Sequence, residues 1–395
     1  MHLNTNLQRL ITVAQKPERI AVGLMSGTSL DGLDVALCRF KGNGMSTTFE
    51  LLDFKTQLYQ ENFKQEVRQI FSCKLVDLEK LTLLNAFIGG FHADLILDCL
   101  KDWHVDALSV DYIASHGQTI YHAPQSLHRQ PGYGNATLQI GDADHIAVKT
   151  SILTISDFRQ KHIAGGGQGA PLALYGDVIL GSKHGQNRIL LNIGGIANFT
   201  YLPADGDTSK ILCTDVGPGN TMIDAACQKY FGQPYDKDSG IAFSGKVNAV
   251  LLTALCNQPF FDENLPKTTG PELFNLHYLD NAIQASGTQN IPHANIIATL
   301  SKFTALTITN AVKQYADLEL KIFVSGGGAR NPFIMQTLKN LLPEVIISDT
   351  GHLGIQPDAK EAILFALLGN EALCGEPITF GSNPAVLMGK FSFPL

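Results

Sequence analysis

The sequence predicts an α/β protein made of two similar halves. Strand-like and helix-like hydrophobic patterns alternate along the chain, and this alternation is typical of the α/β class. Each half opens with two strands joined by a glycine-containing turn, within residues 20–40 and again within 188–202. The chain has 395 residues, which is enough for two domains of roughly 150–200 residues each.

The elements of the first half follow from their hydrophobic spacing. Apolar residues two apart indicate strands, whereas apolar residues three and four apart indicate helices. In chain order we expect two strands within 20–40, a strand at 48–58, helices at about 61–72 and 76–101, a strand at 110–120, a helix at 142–149 and a strand at 151–158.

The second half repeats the opening of the first in architecture but not in sequence. In chain order we expect a strand–turn–strand unit at 188–202, a strand, loop and helix within 210–230, helices at about 244–257, 278–286 and 293–316, a strand, glycine turn and helix within 321–342, a strand near 345–348 and a helix at 358–372. Polar, glycine-rich turns follow the strands in both halves, and ligands of α/β proteins gather beyond strand ends.

Composition and charge argue against several classes of function. The formal net charge is −7, whereas nonspecific nucleic-acid binding needs a basic face, so we expect no nucleic-acid partner. Seven cysteines are scattered without a C-x-x-C pair, which indicates reduced thiols in the cytoplasm rather than disulfides or a zinc site. The chain lacks an apolar run of about 18 residues and an N-terminal signal core, so we expect no membrane partner.

The turn after the first predicted strand, SGTSLDGLD, holds more polar groups than a turn requires. Backbone N–H groups at glycines, together with three hydroxyls, suit a nest that binds phosphate. Two carboxylates would repel phosphate unless Mg²⁺ lay between them. The residues alone leave a magnesium–nucleotide site and a plain hairpin corner equally open. The candidate nucleotide-binding residues are Ser26, Gly27, Thr28, Ser29, Leu30, Asp31, Gly32, Leu33 and Asp34, with Asp31 and Asp34 as candidate metal ligands.

Two glycine-rich turns of the second half are further candidates for nucleotide binding. Gly194 and Gly195 join two strands and suit a second nest, although a glycine pair in a hairpin is more often only a turn. The stretch SGGGARNP at 325–332 follows a buried strand, and its glycines would let an adenine or ribose approach the backbone. The alternative is an ordinary strand-to-helix connection. The candidates here are Gly326, Gly327, Gly328 and Asn331.

Asp215 stands at the end of an apolar strand, in the sequence TDVGPGNTMID. A carboxylate at a strand end is well placed to act as a general base. From the residues alone, a capped turn is an equally good interpretation. We expect Asn220 to cap the helix that follows and Asp224, one turn into that helix, to support Asp215.

Polar loops of the first half suit a sugar-like substrate with an acidic group. The loops SHGQT, SDFR and GGGQGAPL combine glycines with hydrogen-bonding side chains. Arg159 is expected to hold a carboxylate through two N–H groups. Glu361 begins an otherwise apolar helix, where an acid is more often explained by the helix dipole. The candidate substrate-binding residues are His116, Gln118, Thr119, Arg159, Gln168 and Glu361.

Taken together, the motifs indicate one family. The chain closely resembles the anhydro-N-acetylmuramic acid kinases in GLMSGTSLDGLDVAL, SHGQT, DFR, GGGQGAPL, NIGGIAN, DVGPGN, KTTG (267–270) and SGGGARN. These are bacterial enzymes of peptidoglycan recycling within the actin-like ATPase superfamily of sugar kinases and heat-shock ATPases. The resemblance covers the chain from about residue 20 to its end.

The resemblance implies two actin-like (ribonuclease H-like) domains that flank a nucleotide cleft. It implies an N-terminal domain of residues 1–155, joined by the C-terminal segment at about 360–395, and a C-terminal domain of residues 156–360. It also implies ATP and Mg²⁺ as cofactors and a cytoplasmic homodimer. ATP would be bound by Gly27–Asp34 from one domain and by the glycine turns from the other.

The substrate implied by the resemblance is 1,6-anhydro-N-acetylmuramic acid. Asp215 matches the family's catalytic base, which activates a water for attack at the anomeric carbon while O6 takes the γ-phosphoryl group of ATP. The products are N-acetylmuramic acid 6-phosphate and ADP. Two rival functions are a kinase for another anhydrosugar such as levoglucosan, which has less use for an arginine, and an actin-like ATPase clamp without a small acceptor.

Overall fold

The chain divides into two compact units. The computed structural model describes residues 4–170, 172–356, 358–381 and 383–395. The first unit contains residues up to Leu180 together with 354–395, and the second contains residues 181–353. Residues 156–180, which we expected in the second domain, therefore lie in the first unit.

The strands carry the architecture of both units. In chain order they are β1 Glu18–Ser26, β2 Gly32–Lys41, β3 Thr48–Leu58, β4 Tyr112–Ala123, β5 Ala136–Ile140, β6 Thr154–Ser156, β7 Arg188–Ile193, β8 Ile196–Leu202, β9 Leu212–Pro218, β10 Lys321–Ser325, β11 Ile346–Asp349 and β12 Lys390–Ser392.

The two sheets share one topology. In the first unit the order is β3-β2-β1-β4-β6-β12, with β5 paired to β4. Strand β2 is antiparallel to β1 and β3, whereas β1, β4 and β6 are parallel. In the second unit the order is β9-β8-β7-β10-β11, β8 is antiparallel to both neighbours, and β7, β10 and β11 are parallel. This repeated order is the ribonuclease H-like topology, so the predicted α/β class and the ribonuclease H-like topology of each unit are confirmed.

The helices lie between and after these strands. Their bounds are α1 Thr5–Gln15, α2 Glu61–Arg68, α3 Leu78–Asp102, α4 Gln125–His128, α5 Ala143–Thr150, α6 Phe158–Ala164, α7 Ala173–Gly181, α8 Thr221–Phe231, α9 Gly240–Ser244, α10 Ala249–Cys256, α11 Leu276–Ser286, α12 His293–Val312, α13 Pro332–Leu341 and α14 Lys360–Cys374.

The helix predicted at about 244–257 is present as α10 but begins later than expected, because the chain breaks between α9 and α10. Helix α9 ends before Gly245, where a Cβ atom would lie 2.2 Å from the backbone oxygen of Ala294. Asn248 then accepts a hydrogen bond from the backbone N–H of Leu251 and starts α10. The strands β5 and β12 and the helices α4, α6 and α7 were not predicted.

Each unit has a hydrophobic core of its own. The first core includes Val22, Leu24, Ile88, Ile96 and Ile113. The second includes Ile189, Leu191, Phe199, Leu300 and Phe303.

Helix α3 is long and apolar enough, by length and composition alone, to cross a membrane. In its most apolar stretch 44% of the residues are buried inside the structure. Leu84, Ile88 and Ile96 of this helix belong to the first core, which is the behaviour of a core helix.

Helix α14 packs directly on β1. A Cβ atom at Gly23 would lie 2.0 Å from the backbone oxygen of Ala362, so this close approach requires glycine. The first strand and a late helix of the chain therefore belong to one layer-to-layer contact of the first unit.

Candidate active site

The turn between β1 and β2 presents a polar tip. Thr28 and Ser29 are exposed, while Leu30 is buried with a φ of 58°. The backbone N–H of Leu30 donates to the oxygen of Gly27 at 3.3 Å. Gly32 restores the strand, and a Cβ atom there would lie 2.5 Å from a backbone oxygen of β3. The side chain of Leu30 thus anchors the turn in the core, while Thr28 and Ser29 stay exposed at its tip.

Carboxylates lie close to this tip. Burial raises the pKa of Asp34, and the charges of Asp358 and Asp31 raise it further. Its Oδ1 accepts a hydrogen bond from Thr56 at 2.6 Å, which opposes that shift. Mutual repulsion among acids is relieved by a cation, and carboxylate oxygens suit Mg²⁺.

The metal fit is therefore partial. Among the residues that the structure describes, no group of three or more His, Cys, Asp or Glu side chains is arranged to hold a metal ion. Mg²⁺ usually takes one or two carboxylates and completes its shell with waters and phosphate oxygens. Asp31 and Asp34 fit that kind of site and do not fit an all-protein cage.

Ser26, predicted to contact the nucleotide, and Gln118, predicted to contact the sugar, are hydrogen-bonded to each other. Both side chains are buried, and the hydroxyl of Ser26 donates to Oε1 of Gln118. The hydroxyl hydrogen of Ser26 is thus not directed at a phosphate. Thr119, next in the chain, accepts a hydrogen bond from Gln139 at 3.1 Å.

Arg159 and His116, both predicted substrate ligands, are brought together. Nε of Arg159 donates to Nε2 of His116 at 3.0 Å, and its Nη1 donates to the oxygen of Gly169 at 2.7 Å. Because Nε2 accepts, the network assigns the hydrogen of His116 to Nδ1. Burial, and next the charge of Arg159, lower the pKa of His116 to about 3, so this imidazole is neutral near pH 7.

The same bonds limit how Arg159 can bind a substrate. With Nε and one N–H of Nη1 engaged, the remaining N–H groups are the second one on Nη1 and the two on Nη2, at the end of the guanidinium. Burial raises the pKa of Glu361, and the charge of Arg159 opposes part of that rise. Gln168 is exposed, one residue before Gly169. The first unit thus assembles Arg159, His116 and Glu361 in one neighbourhood.

In the second unit the β7–β8 turn is tied to the start of α8. The N–H groups of Gly219 and Asn220 each donate at 2.8 Å to the oxygens of Gly195 and Gly194 respectively. A Cβ atom at Gly219 would lie 2.2 Å from the oxygen of Gly194. Asn220 does not cap α8 with its side chain, contrary to our expectation. Its Nδ2 donates instead to the oxygens of Ile193 and Gly194.

The three glycines after β10 serve two purposes. Gly326 has a φ of +82°, and a Cβ atom there would lie 2.7 Å from the oxygen of Ile193. At Gly328 it would lie 2.2 Å from Cγ2 of the same isoleucine. At Gly327 the nearest atom, in Asn220, is 3.5 Å away. Packing therefore explains two glycines, whereas a Cβ atom at Gly327 would make only an ordinary van der Waals contact.

Gly327 lines a cavity of about 500 Å³ within the second unit, a volume typical of small-molecule sites. Its lining residues include Asn220, Asp224, Tyr235, Asp236, Gly327, Arg330 and Asn331. Asn331 itself caps α13, since its Oδ1 accepts from Ile334 N–H and from the hydroxyl of Ser239.

Asp224 is the residue of this cavity that sequence reasoning misplaced. Burial raises the pKa of its carboxyl to about 6. We expected it to support Asp215, whereas it lines the cavity beside Gly327. Its position one turn into α8 was readable from the sequence, but the cavity was not.

Asp215 is fixed in β9 by the loop that carries KTTG. Its backbone N–H donates to the oxygen of Lys267 at 3.0 Å, and its Oδ2 accepts from the N–H of Thr269 at 2.9 Å. Among the described residues, Oδ1 takes part in no hydrogen bond. Burial raises the pKa of Asp215, the Thr269 bond lowers it and the charge of Glu272 raises it. One oxygen is therefore held while the other can accept a proton.

Comparison with known proteins identifies the family of this chain. The family model for anhydro-N-acetylmuramic acid kinase matches residues 19–388. The anhydro-N-acetylmuramic acid kinase of Pseudoalteromonas atlantica is 51% identical over 99% of this chain and 100% of its own length. That of Pseudoalteromonas translucida is 49% identical over the same shares, and that of Caldanaerobacter subterraneus subsp. tengcongensis is 37% identical over 98% and 100%. The chain therefore belongs to the anhydro-N-acetylmuramic acid kinase family.

Proposed function

We propose that the protein uses ATP and water to convert 1,6-anhydro-N-acetylmuramic acid into N-acetylmuramic acid 6-phosphate and ADP. Water adds its oxygen to the anomeric carbon, the bond from that carbon to O6 breaks, and O6 takes the γ-phosphoryl group. The observation that carries this proposal is the family match over residues 19–388. It favours this substrate over levoglucosan and over a clamp without an acceptor.

Asp215 is the proposed general base. A base must keep one oxygen available and hold its position while a proton moves. The bond from Thr269 to Oδ2 supports both conditions. The raised pKa of Asp215 also brings its basicity closer to that needed near neutral pH.

ATP is proposed to bind through two sets of groups. The N–H and hydroxyl groups at Gly27, Thr28 and Ser29 suit phosphate oxygens, and Gly194 and Gly195 are proposed as further phosphate ligands. The cavity at Gly327 suits the nucleoside. Phosphoryl transfer depends mainly on alignment and charge neutralisation, which such donors provide.

Mg²⁺ is proposed to lie near Asp31 and Asp34, where it would neutralise charge on the phosphates. Arg159 is proposed to bind the lactyl carboxylate of the sugar through Nη1 and Nη2, with His116 and Glu361 close by. We keep Thr119 and Gln168 as proposed sugar ligands. A homodimer and a cytoplasmic location, both implied by the resemblance, are likewise proposals; sedimentation of the purified protein would test the first.

The decisive experiment is a product analysis. Purified protein is incubated with ATP, MgCl₂ and 1,6-anhydro-N-acetylmuramic acid. The molecular mass of the sugar product is then measured by mass spectrometry. We expect a gain of both one water and one phosphoryl group. A gain of the phosphoryl group alone would refute the hydrolytic step. ATP hydrolysis that is equally fast without the sugar would favour the clamp, and equal turnover of levoglucosan would refute the substrate assignment.

A further inference from the structure

Four side chains of the first unit form one continuous hydrogen-bonded chain. The hydroxyl of Tyr59 lies 3.0 Å from Nε2 of His92 and 2.8 Å from Oγ of Ser26. Oγ of Ser26 in turn lies 2.5 Å from Oε1 of Gln118. All four side chains are at most 4% exposed. Water therefore does not compete for these bonds, and each hydrogen must be assigned within the chain.

The assignment has a single solution. Nε2 of Gln118 lies 3.3 Å from the backbone oxygens of Gly27 and Thr119, which only accept, so this nitrogen is the donor end and Oε1 accepts. Ser26 must then give its only hydroxyl hydrogen to Gln118. It follows that Tyr59 donates to Ser26.

The same reasoning fixes the protonation of His92. The hydroxyl of Tyr59 has given its hydrogen to Ser26, so it accepts from His92, and Nε2 of His92 must carry hydrogen. Nδ1 then carries the lone pair, and it has no partner among the described residues. Burial lowers the pKa of His92 to about 4, which agrees with a neutral ring. The bonds therefore run from His92 through Tyr59 and Ser26 to Gln118.

These hydrogen-bonded side chains hold the phosphate-binding turn at both ends. Gln118 donates to the oxygen of Gly27, where the turn begins. The backbone N–H of Tyr59 donates to the oxygen of Asp31 at 3.1 Å, where the turn closes. Tyr59 thus fixes one end through its backbone and the other through its hydroxyl and Ser26. His92 anchors the arrangement in helix α3.

We propose that His92, Tyr59 and Gln118 are positioning residues that hold the turn 26–34 in the arrangement that binds the phosphates of ATP. This inference rests on the proposed function of the turn. According to it, Ser26 and Gln118 hold the turn in place and do not contact the nucleotide or the sugar. A preorganised site binds with less loss of conformational entropy. Loosening the turn should therefore weaken ATP binding more than it slows the reaction of bound ATP.

The first experiment tests the donor-to-acceptor direction of these hydrogen bonds and does not depend on enzyme activity. Protein labelled with ¹⁵N at histidine is examined by NMR through the couplings between ring nitrogens and ring protons, and His92→Gln identifies the signal. We expect the tautomer of His92 with hydrogen on Nε2. Hydrogen on Nδ1, or on both nitrogens at neutral pH, would overturn the proposed direction.

The second experiment separates positioning from general stability. Tyr59→Phe is compared with Tyr112→Phe, which also removes one buried hydroxyl of the first unit, bonded to the oxygen of Ala366 at 2.8 Å. We expect Tyr59→Phe to raise KM for ATP by about five- to tenfold with kcat changed less than twofold. Tyr112→Phe should leave KM for ATP unchanged. Equal KM values in the two variants would overturn the proposal.

A matched pair at His92 guards against a variant that fails to fold. His92→Gln keeps an N–H donor at the end of the side chain, whereas His92→Leu does not. We expect KM for ATP to stay within twofold for the first and to rise about fivefold for the second. Identical KM values would contradict the proposal. If wild-type protein shows no turnover of the anhydrosugar, the proposed function fails, while calorimetric Kd values for an ATP analogue in the same variants still decide the inference.

Discussion

Thr269 donates its backbone N–H to Oδ2 of Asp215 across 2.9 Å, although the two residues are 54 apart in the chain. The bond joins the KTTG loop to the middle of β9, which continues to Pro218, so Asp215 does not stand at the end of its strand as the sequence suggested. The backbone N–H of Lys267 donates to the hydroxyl oxygen of Thr214 at 2.9 Å and strengthens this junction. The loop therefore orients the carboxylate without using its second oxygen.

Asp215→Asn should fold and bind ATP but lose activity. The amide oxygen of asparagine can still accept from Thr269, whereas the amide nitrogen cannot take a proton from water. We expect kcat to fall by about 10²–10⁴-fold, with Kd for an ATP analogue changed little by calorimetry. Asp205→Asn, which removes a surface partner of Lys210, is the control and should keep full activity. Near-normal turnover by Asp215→Asn would exclude the base assignment.

Asp224 should make stability depend on pH. Burial raises the pKa of its carboxyl from 3.8 to about 6, so the folded state prefers the neutral acid. That preference stabilises the protein fully below the unfolded pKa and is lost as pH rises through about 6. Asp224→Asn should therefore match wild type near pH 4 and be more stable near pH 7. Because Asp224 is only partly buried, we expect about 1 kcal/mol, or about 2–4 °C in Tm.

Thermal unfolding at several pH values measures this effect. Asp280→Asn, which removes an exposed partner of Lys229, should show no comparable gain as pH rises. A gain for Asp224→Asn that is equally large near pH 4 would contradict the assigned cause.

The glycines after β10 should separate stability from nucleotide binding. Gly326→Ala forces alanine into a φ of 82° and a ψ of 174°, a region that is essentially restricted to glycine, and into a contact of 2.7 Å with the oxygen of Ile193, so it should cost at least about 1–3 kcal/mol. Gly327→Ala meets no atom closer than 3.5 Å and should keep its Tm. Its methyl group enters the cavity, so KM for ATP should rise. An unchanged KM would exclude this cavity as the nucleoside site.

Arg159→Lys should weaken sugar binding selectively. Lysine keeps the charge but cannot present two parallel N–H groups to a carboxylate. We expect KM for the anhydrosugar to rise by about 10–100-fold, the value of one charge-assisted paired contact, with KM for ATP within twofold. Arg68→Lys, at a surface pair with Glu61, is the matched control. Equal changes in both KM values would point to a general disturbance of the first unit.

Much of the fold could be predicted because long elements carry their own pattern. The bounds 48–58 of β3 were predicted correctly from the sequence. The predicted ends of α3 and α12 lie within a few residues of the observed ones. The strands β5 and β12 were missed since both are short, and β12 also forms by pairing with β6, which lies far earlier in the chain. Periodicity cannot report a pairing partner.

The site was predicted by residue type more successfully than by role. Asn220 was expected as a cap and instead bonds the β7–β8 turn. Gly326 and Gly328 were expected to face a ligand, whereas Ile193 accounts for both. In each case the deciding neighbour is far away in the chain. A single sequence shows that a residue can do a task, but the fold decides which task it does.

The contact between Gly23 and Ala362 also has a consequence for synthesis on the ribosome. The second unit is one continuous stretch, 181–353, and can complete its core as soon as that stretch emerges. The first unit starts earlier but needs α14 to cover β1. At about 5–20 residues per second, strand β1 waits roughly 15–70 s for that helix. The half of the chain made first is therefore the half finished last, and its uncovered sheet is the surface that a chaperone would meet.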